Sequence, residues 1–120
     1  MIRILSGLPD NVVGFEAVGE VLGSDYKDVL LPALDDALQN HEKIRLLYVL
    51  GAEFTGYSGG AMWQDTKLGF EHLRAWEKIA IVTDTGWVRD GVKAFGWMVP
   101  GDVDTFPTAE RADAEDWVAA

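Results

Sequence analysis

The chain has no cysteine among its 120 residues. That absence excludes disulfides, thiolate nucleophiles, and every zinc or iron–sulfur site built on sulfur ligands. Positive charge is also scarce: 10 Lys and Arg stand against 20 Asp and Glu, for a net charge of −10. So acidic a surface repels phosphate backbones and anionic headgroups, which argues against nucleic acid as a partner. No apolar run approaches the ~20 residues of a membrane span. The opening residues "MIRILSGLPDN" carry one Arg and a brief apolar stretch, unlike a secretory signal, so the expected location is cytoplasmic. Histidine is limited to His41 and His72, each beside a glutamate and neither at metal-ligand spacing, so no metal and no cofactor is expected.

What is present fits one globular domain over residues 1–120. Hydrophobic residues make up 48% and charged residues 25%, the usual balance for a folded domain of this length. Residues 2–6 read as a short strand. "VVGFEAVGEV" places Val13, Phe15, Ala17 and Val21 on one parity and Glu16 and Glu20 on the other, which predicts a half-buried strand in a hairpin with the first. "SDYKDVLLPALDDALQNHEK" predicts a helix with Ser24 as N-cap and a face of Tyr26, Leu30, Ala33, Leu34, Ala37 and Leu38. Pro32 inside it predicts a kink or two abutting helices. "IRLLYVL" (44–50) and "KIAIVT" (78–83) are apolar throughout, as central parallel strands covered on both faces are. Further helices are expected over about 60–75, over the stretch after Asp84, and from Pro107 to the end, the last turning Ala112, Trp117 and Val118 inward. "DVDTF" is a short final strand. The fold class is therefore α/β: a single mixed, mostly parallel sheet with an N-terminal β-hairpin and helices packed on it.

The glycine-rich stretch "GAEFTGYSGGAMWQD" (51–65) is the candidate for chemistry. Gly51 and Gly56 have phosphate-loop spacing, but Tyr57 and Ser58 stand where a lysine is needed. Gly56-Tyr57-Ser58-Gly59-Gly60 matches the Gly-x-Ser-x-Gly elbow of hydrolases, yet Ser58 falls eight residues beyond Leu50 and lacks a following acid–histidine pair within reach. Asp65 and His72 on one helix are separated by ~10 Å. The plain reading is a loop whose glycines serve the backbone. Ser58 or Thr55 at the start of the next helix offers a hydroxyl for a regulatory phosphate. Five tryptophans are many for this length; Trp63, Trp76 and Trp117 suit core packing, whereas Trp87 and Trp97 flank a glycine-broken helix and suit a pocket or partner surface. Asp84 ends an apolar strand at the sheet edge where ligands bind, and is also placed to cap the helix from Thr85.

Taken together, "FEAVGEV…SDYKDVLLPAL", "KIRLLYVL", "EKIAIVTDTGWVR" and "DVDTFPTAERADAEDW" resemble the bacterial SpoIIAA-like family, small proteins grouped with STAS and CRAL-TRIO domains. The signposts are Asp25-Tyr26, Ala80-Ile81-Val82, Asp84, Trp87, Phe106, Ala114 and Trp117. The resemblance implies no established catalytic centre and action by protein contact. Anti-sigma-factor antagonists of this group are phosphorylated on a serine at the helix start after the third strand. Ser58 is the loosely corresponding position here, in Gly-Tyr-Ser-Gly-Gly rather than an Asp-Ser-Ser-Gly-like segment. The expected function is a non-enzymatic STAS-like binding or regulatory module. A carrier with a small apolar pocket for a small molecule or lipid is the alternative, and a Ser58-centred hydrolase the third reading. The expected site residues are Thr55, Tyr57, Ser58, Trp63, Asp84, Trp87 and Trp97, with Ser58 the candidate phosphorylation point. The partner is a protein or a small apolar ligand, and a homodimer through helical faces or a sheet edge is an open alternative.

Overall fold

The computed structural model describes residues 1–59, 75–96 and 101–120. Strand β1 (Ile2–Ile4) pairs antiparallel with β2 (Val12–Val21), setting Ile2 opposite Ala17 and Ile4 opposite Phe15. The parity read in β2 puts Val13, Phe15, Ala17 and Val21 inside and Glu20 outside, but Val12 and Gly14 on the other parity are buried too, so the first half of the strand is covered on both faces rather than one. Strands β3 (Ile44–Tyr57), β4 (Trp76–Thr83) and β5 (Asp102–Phe106) then add in parallel, so the sheet order is β1-β2-β3-β4-β5. This is the mixed, mostly parallel α/β sheet with an N-terminal hairpin.

The continuous apolar runs are explained by burial on both faces. Ile44, Leu46, Tyr48 and Leu50 of β3 join a cluster with Phe15, Tyr26, Leu30 and Leu34. Leu47 and Val49, on the opposite parity, join Ala80, Val82, Ala114 and Val118. The first cluster is covered by a helical stretch in three pieces: an α-turn (Gly23–Asp25), a π-helical turn (Tyr26–Leu30) and α1 (Leu31–Asn40). The interruption sits just before Pro32. Its ring would crowd the carbonyl one turn back in a regular helix, and the widened turn, with Leu31 N–H donating to the Tyr26 carbonyl, relieves that crowding. Ser24 is not the N-cap. Leu22 holds that position, and the Asp25 carboxylate reaches back to accept the Leu22 N–H at 2.8 Å.

The second face is covered by α3 (Arg111–Ala119), entered through a 3-10 turn at Thr108–Glu110. Ala114 and Val118 point inward, whereas Ala112 is exposed rather than buried as its spacing suggested. Trp117 is half-buried, its ring 5.7 Å from Phe106 and 5.1 Å from the Lys78 ammonium. The carbonyl end of α3 is held by cations from the sheet. Arg45 donates to the Val118 carbonyl at 2.8 Å and Lys78 to the Trp117 carbonyl at 3.0 Å, where the helix dipole favours positive charge. Between β4 and β5 runs α2 (Gly86–Phe95). The helix expected over 60–75 lies outside the described residues.

One strand differs from its expected length. β3 runs to Tyr57 instead of ending at Leu50, because the tail of β2 continues to pair with it: Gly19 with Phe54, Glu20 with Gly56, Val21 with Tyr57. Fourteen residues at ~3.3 Å each would span about 43 Å if straight. The ribbon is not regular along that length: register shifts on either side of Gly19 mark a bulge, which bends a strand. Gly19 at φ +65° and Gly56 at φ +144° adopt backbone angles that side-chain-bearing residues avoid.

The packing yields a direct test. Leu34 has no exposed surface, so Leu34→Ala should cost about 2–5 kcal/mol in a guanidinium unfolding curve. Ala112→Gln, on the solvent side of α3, should stay within about 0.5 kcal/mol.

Candidate functional site

Because β3 outruns β4, the carboxyl edge of the sheet is stepped. β4 ends at Thr83, paired with Leu50, while β3 continues for seven residues, Gly51 to Tyr57. The chain leaves β4 through Asp84 and Thr85 and enters α2, whose first turn carries Trp87. Trp87 therefore stands at the carboxyl end of β4, against the side chains of the β3 overhang. Phe54 and Tyr57 meet edge to face with ring centres 5.2 Å apart. Trp87 completes the group at 6.2 Å from Phe54 and 5.9 Å from Tyr57. These separations and tilts are those of attractive aromatic pairs, so the rings hold one another in place. Trp87 nevertheless keeps 54% of its surface exposed, the largest aromatic area open to solvent among the described residues.

Of the site residues expected from sequence, the structure brings Tyr57 and Trp87 into contact and adds Phe54, which sequence reasoning missed. Its signal was present: Phe54 keeps the parity of Leu46, Tyr48 and Leu50, continuing the strand into the glycine-rich stretch. Thr55 is exposed on the overhang. Trp63 and Trp97 lie outside the described residues. Ser58 follows the strand directly and is half-buried, its N–H donating to the Val21 carbonyl at 2.9 Å. The eight-residue gap that seemed to separate Ser58 from a strand is thus filled by strand. The elbow still lacks its base among the described residues, since His41 follows α1 and precedes β3, at the opposite edge of the sheet. His72 lies outside the described residues.

Asp84 has a different role from the helix cap expected of it. Its carboxylate accepts hydrogen bonds from the Thr108 hydroxyl and, at 3.1 Å, from the Thr108 N–H. It thereby clasps the end of β4 to the turn that opens α3. The entry to α2 is supported instead by Thr83, whose buried hydroxyl accepts the Thr85 N–H at 3.0 Å. The two bonds from Thr108, with help from the Arg89 charge, hold the Asp84 carboxyl below the usual carboxylate range.

Two open clefts lie away from the aromatic group. One, of about 340 Å³, runs between α1 and the β1–β2 hairpin, where Asp10, Asp36, Asn40 and His41 accompany apolar residues. The other, of about 310 Å³, lies between α2 and β5 and includes Lys93, Asp102 and Asp104. Among the described residues no three His, Asp or Glu side chains are grouped to hold a metal ion, and no helix is long and apolar enough to cross a membrane.

The sequence model of the SpoIIAA-like family matches residues 12–119, nearly the whole chain, and the protein belongs to that family. The chain is similar in structure to an uncharacterised protein from Shewanella loihica with a SpoIIAA-like fold. The two are 29% identical with a TM-score of 0.78, over 98% of this chain and 92% of that one. No curated protein matches at a significant level.

The clasp gives a pH prediction. A carboxyl whose pKa is lowered on folding adds stability above its unfolded value of about 3.9 and loses it as pH falls through the folded value. Unfolding midpoints of the wild type should therefore drop below about pH 4 more steeply than those of Asp84→Asn, and parallel curves would show that the clasp contributes nothing.

Proposed function

We propose that the protein is a non-enzymatic STAS-like module that acts through protein contacts at the carboxyl edge of its sheet. The observation that carries this reading is the group Phe54, Tyr57 and Trp87, with Trp87 half in solvent on a braced support. A rigid, partly exposed aromatic is the residue type that dominates binding energy at protein interfaces. Membership of the SpoIIAA-like family is in keeping with such a role. The carrier reading is less well supported, because the larger described cleft is open and carries two aspartates, an asparagine and a histidine rather than an apolar lining throughout.

Ser58 lies one residue beyond Tyr57, so a phosphate there would add negative charge beside the aromatic group. In this reading it is the switch.

Proteins co-purifying with the wild type should be lost from Trp87→Ser, while the unfolding temperature stays close to that of the wild type. An unchanged set of partners would contradict the assignment. Native mass spectrometry of the freshly purified protein checks the carrier alternative, since a retained apolar mass would favour it. Ser58→Asp should change affinity for those same partners without altering the fold, and Ser58→Ala should leave background ester hydrolysis untouched.

A further inference from the structure

The overhang of β3 offers more than side chains. Beyond Leu50 its pairing with β4 is over, and on the side away from β2 the segment Ala52–Gly56 has no strand beside it among the described residues. Ala52, Glu53 and Thr55 are exposed. A strand edge with open backbone donors and acceptors is a template for another strand. Proteins commonly blunt such edges by pairing or covering them, and here the edge lies beside an exposed tryptophan. We infer that this edge takes up an extended, basic segment of a partner protein as an added strand, running alongside Ala52–Gly56 with its apolar side chains against Phe54 and Trp87. The inference rests on the protein-contact reading above and names the partner's form and charge.

The two faces of the overhang specify the guest. The register steps from Gly19–Phe54 to Glu20–Gly56, so Phe54 and Tyr57 come to one face in the aromatic group, while Glu53, adjacent to Phe54 in the strand, lies on the other. An added strand alternates in the same way. Its residues on the first face meet Phe54 and Trp87 and must be apolar. Its residues on the second face meet Glu53, and the neighbouring β2 contributes the exposed Glu20 opposite Gly56. Those positions call for lysine or arginine, and the net charge of −10 draws such a segment in at long range. A second copy of this chain is the poorer guest. Pairing edge to edge would set Glu53 near its own counterpart and bring together two molecules each carrying −10.

The test uses the full chain and three short synthetic peptides. The first alternates lysine with valine and phenylalanine. The second replaces its lysines by glutamate. The third is the lysine peptide N-methylated at alternate residues, so that one of its edges cannot pair. Amide shifts of Ala52–Gly56 and tryptophan fluorescence report binding. The lysine peptide should bind and shift these amides, less tightly as salt is raised. N-methylation should weaken it about tenfold or more, as loss of a pair of backbone bonds implies. The glutamate peptide should not bind, and Glu53→Lys should reverse the preference. Absence of binding by the lysine peptide, or equal binding by the glutamate peptide, overturns the inference. Binding that survives N-methylation but is lost in Trp87→Ser overturns strand addition and leaves the aromatic protein-contact surface standing. Binding indifferent to both changes removes both.

Discussion

The pairing of β2 with β3 is the constraint on which the rest of this structure depends. β3 is the longest strand and is buried on both faces along its first half, so its register distributes side chains to both cores at once. A slip of one residue would exchange Leu46 and Tyr48 with Leu47 and Val49, sending a tyrosine to the face that α3 must cover. The hydroxyls of Tyr26 and Tyr48, 3.2 Å apart and buried, add a directional contact that only the native register supplies. The same pairing continues past Leu50 and carries Phe54 and Tyr57 out beyond the end of β4. Core and candidate site are therefore two ends of one ladder.

The outer elements are fastened to that ladder by polar contacts at its two ends. At the amino edge Arg45 and Lys78 grip the last carbonyls of α3, and Arg45 also pairs with Glu77. On the second face Glu16 lies between Arg3 at 3.8 Å and Arg111 at 3.6 Å, tying the hairpin to α3. At the carboxyl edge Asp84 clasps Thr108. Exposed pairs of this kind contribute little energy singly. Their value here is orientation, since all but the Arg3–Glu16 pair join elements far apart in sequence. The aromatic group differs in kind: it fixes the first turn of α2 against the overhang by ring contacts and still leaves Trp87 open.

How much of this was legible in the sequence follows from which forces act locally. The hairpin, the central strands and the covering helices were readable because burial on one face or two writes itself into periodicity, as in Val13–Val21 and Ile44–Leu50. The π turn before Pro32 was foreshadowed by the proline itself. The length of β3 was not readable. Gly51, Ala52, Glu53 and Gly56 are poor strand formers, and only the distant tail of β2 recruits them. With that strand end hidden, Phe54 went unnoticed and Ser58 was set too far from any strand. The role of Asp84 was missed for a related reason, since its partner Thr108 lies 24 residues away and a local cap looked sufficient. The expectation of Tyr57, Asp84 and Trp87 at the ends of parallel strands came from where loops gather, and the structure brings Tyr57 and Trp87 into contact there while Asp84 is bonded to Thr108.

Amide hydrogen exchange of the free protein measures the stepped edge most directly. Leu46–Leu50, paired on both sides, should be protected at every residue. Along Ala52–Gly56 protection should alternate, slow where an amide pairs with β2 and fast where it faces the open side. Uniformly slow exchange through Ala52–Gly56 would mean that the edge is covered, and would contradict the account.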